Sequence, residues 1–233
     1  MVGRILILMV WLTVGIPVHA VQAADGSRWT MGVGYAVIAP NARTSGLEID
    51  GNPLPGAKML VSDERANLLW LRRRLGKDWA VSTALGKPLT VETQLHYNVT
   101  GQTIPALPIE AAPLMLTVHY APQALRFRGL QPYVGAGGVY VLVDACEFNE
   151  GFNNFSEQWL GQRPNDFDMD QPWHVLWELG ADYRISDHWK LNGRVLGFSG
   201  SSRARIKFDG GAVMEVDMEY APRIYSLSLE YQF

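Results

Sequence analysis

Few residues in this sequence are arranged for chemistry. Its five histidines, at positions 19, 96, 119, 174 and 188, form no close pair of the kind a zinc site uses, and its single cysteine, Cys146, permits neither an internal disulfide nor a thiolate cluster. Asp166, Asp168 and Asp170 have the spacing of a calcium loop. Gln171, however, stands where that loop needs its turn glycine and Trp177 where it needs its bidentate glutamate. The run Gly135-Ala136-Gly137-Gly138-Val139-Tyr140 has glycines like a dinucleotide fingerprint, but it ends on tyrosine and no helical period follows. No histidine has a serine two residues on, so a hydrolase would need its nucleophile and base to meet across strands. No enzymatic reaction, cofactor or metal is expected. What remains is a set of five charges, Glu178, Asp182, Lys190, Arg194 and Glu230, embedded in segments that are otherwise apolar.

The elements that must position those charges alternate with a period of two, the mark of a strand with two different faces. Trp173, Val175, Trp177, Leu179, Ala181 and Tyr183 oppose His174, Leu176, Glu178, Gly180 and Asp182, and Trp189, Leu191 and Val195 oppose Lys190, Asn192 and Arg194. Trp29, Met31, Val33, Tyr35 and Val37 likewise oppose Thr30, Gly32, Gly34 and Ala36. Tyr225, Leu227, Leu229, Tyr231 and Phe233 alternate with Ser226, Ser228, Glu230 and Gln232. One face is bulky and the other small or charged. Charged residues at 18%, aromatics at 11% and 23 glycines lean the same way, toward an all-β chain. A formal charge of -3 leaves no basic excess for a phosphate backbone, so nucleic acid is not an expected partner.

Arg4, the apolar stretch Ile5 to Val18 and the small residues Ala20, Ala23 and Ala24 read as a secretory signal over residues 1–24, leaving one domain at 25–233. Alternation alone suits a soluble sandwich as well. Joined to export, aromatics at strand ends and a pattern running to Phe233, it favours an eight-stranded antiparallel transmembrane barrel whose bulky face meets lipid. The strands are expected near 28–38, 65–75, 79–86, 112–121, 130–143, 172–184, 189–198 and 222–233. Short turns then face the periplasm, and long loops at 39–64, 87–111, 144–171 and 199–221 face the exterior, with Cys146 at the start of the third. Arg72, Arg73 and Arg74 are expected in a solvated periplasmic rim beside the Gly76 turn, at least one of them outward with its stem snorkelling.

Pro113 to Tyr120, "PLMLTVHY", followed by Leu130 to Val143, "LQPYVGAGGVYVLV", resembles the central strand pair of the OmpW family, with its Pro-Tyr-Val-Gly-Ala-Gly core at Pro132 to Gly137. Pro40, Asp78, Trp173 with Gly180-Ala181-Asp182-Tyr183, the Asp187 to Trp189 turn and Tyr231-Gln232-Phe233 also fall where that family's pattern puts them. The chain departs from it at Gly138-Val139, where the family has a larger apolar residue and asparagine, and at Arg72-Arg73-Arg74, which replace a more apolar strand end. The resemblance spans nearly the whole mature chain. It implies a place in the bacterial outer membrane, in contact with lipid and lipopolysaccharide. Insertion would be by the barrel-assembly machinery, reading Tyr225, Leu227, Leu229, Tyr231 and Phe233. The implied function is passive uptake of small hydrophobic molecules.

An eight-stranded barrel has room inside only for side chains or one small ligand. Glu178, Asp182, Lys190, Arg194 and Glu230 are expected to pair as a polar plug toward the periplasm. Met115, Val139, Val141, Leu176, Leu196 and Phe198 should form an apolar funnel toward the exterior. A plugged lumen requires exit through the wall, and Pro40, which has no N–H to donate, is the expected gap. On this view Leu196→Asp lowers uptake while folding survives. The other class left open is a non-transporting surface barrel acting as receptor, adhesin or stress-response protein. The solute and the oligomeric state are not specified by the sequence.

Overall fold

The computed structural model describes residues 29–97, 101–145, 147–170 and 173–233; the expected signal and Cys146 lie outside the described residues. In chain order the elements are β1 (Trp29–Ala39), β2 (Ala42–Thr44), β3 (Leu47–Ile49), β4 (Asn52–Leu54), β5 (Ala57–Val61), β6 (Glu64–Arg74), β7 (Trp79–Gly86), β8 (Leu89–Tyr97), β9 (Gln102–Tyr120) and β10 (Leu130–Ala145). Helix α1 (Glu150–Leu160) follows, then β11 (Pro164–Met169), β12 (Trp173–Arg184), β13 (Trp189–Phe198), β14 (Gly200–Phe208), β15 (Val213–Tyr220) and β16 (Arg223–Gln232). Eight strands close a ring in the order β1-β6-β7-β9-β10-β12-β13-β16 and back to β1, every neighbour antiparallel. Along the paired span of these eight strands closure leaves no backbone edge facing hydrocarbon, which is the condition for crossing a bilayer with strands.

The bulky faces point outward. Val33 is 65% and Val175 80% exposed, while Ala36, Val139, Leu176 and Leu196 on the opposite faces are fully buried. Trp79 and Tyr120 meet at one end of the apolar band and Tyr140 and Trp173 at the other, the aromatic girdles of a membrane-spanning barrel. The short connections are tight. Between β9 and β10, Phe127 and Leu130 exchange backbone hydrogen bonds of 2.9 and 2.8 Å around Arg128 (φ +46°) and Gly129 (φ +85°), a two-residue turn whose positive φ at both positions matches strand twist. Gly137 has a different reason for being glycine. A Cβ there would overlap the Leu116 carbonyl, so only a bare Cα lets β9 and β10 approach as they do.

Where long loops were expected, the chain continues largely as strand. β9 begins at Gln102, some ten residues before its expected start, and Pro105, Pro108 and Pro113 sit in register within it, opposite Gln94, Glu92 and Val141 respectively. β9 and β10 run on above the barrel and with β8 and β5 form one sheet; β11, β14, β15, β3 and β4, with β2 on β15, form a second. The two sheets enclose a separate apolar core that includes Leu107, Ile109, Ile206, Phe208, Met214 and Val216. Helix α1, capped by the Asn149 side chain and ended by Gly161 at φ +67°, delivers Phe152 into that core.

Period two persists in β14, where Ser202, Ala204, Ile206 and Phe208 point in and Arg203, Arg205 and Lys207 out. Those bases pair across the sheet, Arg203 with Asp217 at 2.6 Å, Arg205 with Asp170 at 3.3 Å and Glu215 at 3.1 Å, and Lys207 with Asp166 at 2.8 Å. The acids with calcium-loop spacing are therefore partners of a basic strand. Hydrogen bonds from Lys207 and Arg203 hold Asp166 and Asp217 below the usual carboxylate range.

Candidate functional site

The lumen is built in three levels. At the short-turn end lies an ion network. Arg72 Nη1 meets Asp182 Oδ2 at 2.7 Å, and Lys190 Nζ bridges the same oxygen at 3.0 Å and Glu230 Oε2 at 3.2 Å. Arg194 pairs with Glu230, lies 3.5 Å from Glu178 Oε1, and rests its guanidinium 3.8 Å from the centre of the Trp70 ring. Tyr133 donates its hydroxyl to Glu178 Oε1 at 2.8 Å, and Asn192 donates to Asp182 Oδ1 at 2.6 Å. Three cations face three carboxylates, so the network is neutral as a unit. Strand register brings them to one height: Lys190 stands opposite Glu230, and Asp182 opposite Asn192.

The arginine triplet divides by strand parity. Arg72 is buried among these acids, so the expectation of a solvated rim does not hold for it: β6 turns residues 66, 68, 70, 72 and 74 inward, and Asp182 and Glu230 neutralise the charge that burial would penalise. Arg73 faces outward with its guanidinium 5.2 Å from the Trp29 ring, and Arg74 stays exposed at the mouth.

A nucleophile and a base do meet across strands. Ser82 Oγ lies 3.1 Å from His119 Nε2, but Glu178 Oε2 lies 3.0 Å from that same nitrogen, and Nδ1 has no partner. A serine relay needs the nucleophile on one ring nitrogen and the orienting acid on the other. Here one nitrogen serves both, so the trio is a structural part of the network.

Above the network the bore is solid. Met115, Val139, Leu176 and Leu196 pack with Trp70, Leu68 and Ala84, and none of the first four is more than 3% exposed. They do not line a funnel. Trp70 and Leu68, from β6, supply the volume that closes the layer. Leu196, opposite Glu178 in register, is thus a poor place to test uptake: an aspartate there would sit in the packed layer beside another carboxylate and cost folding.

The third level is an apolar cavity of about 190 Å³ on top of that layer, between the barrel and the two upper sheets. Val141 and Phe198 line it, as do Pro40, Met218, Tyr220 and Pro222. Phe198 stacks on His174, whose Nε2 lies 2.7 Å from the Tyr220 hydroxyl. At this height the wall is interrupted. Register places Ala39 opposite Arg223 and Ala42 opposite Tyr220, so Pro40 faces Pro222 and Asn41 faces Ala221. Among the described residues no backbone hydrogen bond joins the two sides there, and the Asn41 amide alone bridges, to Ala221 O at 3.3 Å and Ala39 O at 3.4 Å. A second seam runs between β10 and β11: among the described residues β10 pairs with β12 up to Tyr140 and β11 pairs with β14. Val143 and Met169 bring the cavity to that seam too.

The profile of the OmpW family matches residues 27–233. The chain belongs to the OmpW family. Outer membrane protein W of Vibrio cholerae serotype O1 is 29% identical over 103 residues, a match spanning 44% of this chain and 44% of that relative. OprG from Pseudomonas aeruginosa superimposes with a TM-score of 0.77 at 20% identity, covering 90% of this chain and 97% of OprG. Outer membrane protein AlkL has a TM-score of 0.64 at 19% identity, with 91% and 93% covered, and OmpW of E. coli 0.54 at 19%, with 90% and 99% covered. This OmpW-family barrel is therefore a bacterial outer-membrane protein.

Sequence reasoning did not assign Arg72, His119, Tyr133 and Asn192 to the plug of this OmpW-family protein. All four share the inward parity of their strands, and parity was the signal that could have found them. Met218 and Tyr220 fall in the loop expected at 199–221 and Pro222 at the start of the strand expected at 222–233; only the pairing of β15 with β14 and β2 and of β16 with β1 brings the three to the cavity.

Proposed function

We propose that this OmpW-family barrel takes small hydrophobic molecules from the exterior into the 190 Å³ apolar cavity and releases them sideways into the membrane. The observation carrying this reading is the coincidence of that cavity with the unpaired Pro40–Pro222 step, directly above a bore closed by packed side chains and an ion network. A molecule resting there has no continuous path to the periplasm. Neither proline can donate an N–H, so opening the wall at that step sacrifices no backbone hydrogen bond, which in hydrocarbon would otherwise cost several kcal/mol per group, to order of magnitude. The lumen side of the opening is apolar, and Val37 and Tyr225 flank it on the lipid side. Family membership supports the same class of solute.

The test is entry of n-octane into cells with and without the protein, and with Val141→Asp, beside a planar-bilayer conductance record. Val141 lines the cavity but is only half-buried, so the variant keeps its fold, checked by heat-modifiable migration, while a carboxylate in the apolar cavity lowers uptake toward the level without protein. Equal octane entry in the two strains would put the surface-receptor or adhesin reading ahead. A large steady ionic conductance would contradict the closed bore.

A further inference from the structure

A second cavity, larger than the apolar one, opens at the opposite end of the barrel. It measures about 380 Å³, lies beneath the ion network at the short-turn end, and has charged walls. Arg74 at the end of β6, Lys77 in the turn after it, and Arg126, which follows the 3-10 turn at Gln123–Leu125, all line it. Among the described residues none of the three forms an ion pair. The Arg126 guanidinium donates to the neutral Gln131 amide oxygen, at 3.2 Å. Three acids line the same cavity: Asp182 is paired with Arg72 and Lys190, Asp187 with Arg184, and Asp78 accepts from the Gln123 backbone N–H at 3.1 Å, so among the described residues Arg74, Lys77 and Arg126 face one carboxylate without a paired cation.

The floor of this vestibule is polar as well. Arg72 and His119 both line it, both are more than nine-tenths buried, and each leaves a nitrogen without a partner, Arg72 Nε and His119 Nδ1. Those two nitrogens are themselves buried, so they lie behind the vestibule wall and do not reach a group bound in it. Cations in excess of the acids around them, gathered in a concave site, focus a positive potential on it. Outside the mouth, Arg73 over Trp29 and Arg128 over Phe127, the latter pair 5.0 Å apart, extend the same sign to the membrane rim. The packed layer above blocks onward passage.

We propose that the periplasmic vestibule binds a phosphoryl group, carried either by an anionic lipid headgroup of the inner leaflet or by a soluble phosphate. Arginine and lysine donors around a concave polar site are the chemistry that recognises such a group. The site is independent of the apolar cavity and of uptake through it.

The test uses the full barrel folded in a phosphate-free maltoside detergent. Inorganic phosphate is titrated by calorimetry, and retention of phosphatidylglycerol is measured separately by native mass spectrometry. Saturable binding is expected, weakened about tenfold or more by the triple variant Arg74→Gln/Lys77→Gln/Arg126→Gln. Raising sodium chloride tenfold should weaken the native protein far more than the variant. Binding of phosphate without lipid retention assigns the soluble source; retention of the lipid without phosphate binding assigns the headgroup; both together support the shared chemistry. Saturable binding of neither, or equal binding by the triple variant, overturns the proposal. Should the triple variant not fold, Lys77→Gln alone, in an exposed turn, carries the test, with about a threefold loss expected.

Discussion

Arg194 holds together the closed half of the lumen, and its replacement by methionine has a calculable consequence. The guanidinium is fully buried, pairs with Glu230, stands 3.5 Å from Glu178, donates from Nε to Asn192 Oδ1 at 2.5 Å and covers the Trp70 ring. Methionine keeps much of the apolar volume against Trp70 but leaves three carboxylates facing only Arg72 and Lys190. Breaking a buried pair by removing one partner costs about 3 to 5 kcal/mol, because the remaining charge is buried and uncompensated. Glu230→Gln alone strands the opposite charge and should cost a similar amount. The double variant Arg194→Met/Glu230→Gln restores neutrality, so its cost should fall well below the sum of the singles, with a coupling of about 2 kcal/mol or more. Urea unfolding of the barrel in detergent, followed by tryptophan fluorescence and heat-modifiable migration, measures all three. Single variants costing less than about 1 kcal/mol, or an additive double, would refute the view that this network acts as one neutral buried unit.

Gly137→Ala should abolish assembly of the folded barrel, since its Cβ would overlap the Leu116 carbonyl between β9 and β10; a heat-modifiable band of normal intensity would contradict this. Leu196→Asp should reduce the folded fraction, with a cost of several kcal/mol for a buried carboxylate without a partner, rather than lower uptake in an intact barrel; urea midpoints decide. Removing Phe233, which stacks on Tyr231 at 6.4 Å beside the lipid-facing Tyr225, Leu227 and Leu229, should slow insertion by the barrel-assembly machinery; unchanged outer-membrane yield would count against recognition of that strand. Pro222→Ala restores a backbone donor opposite Pro40 and should slow octane entry without changing stability by more than about 1 kcal/mol, and an unchanged rate would argue for exit at the β10–β11 seam instead.

The class, the eight barrel strands and their facing were determined by the sequence alone, since a spanning strand must turn alternate residues to lipid and lumen, period two is visible one strand at a time, and the export signal set the barrel apart from a soluble sandwich; the eight further strands were not. The same parity put Glu178, Asp182, Lys190, Arg194 and Glu230 inside. Height along the barrel was a different matter. Whether Leu196 lines a funnel or closes a septum depends on Trp70 arriving from β6 at the same level, which is a property of strand register. Arg72 could be placed only once Asp182 and Glu230 were seen beside it, since a buried cation is permitted by its partners and not by its neighbours in the chain. The upper sheets were hidden because they alternate charge with apolar residues and contain prolines, so that their cross-strand ion pairs, and the cavity beneath them, exist only in the folded chain.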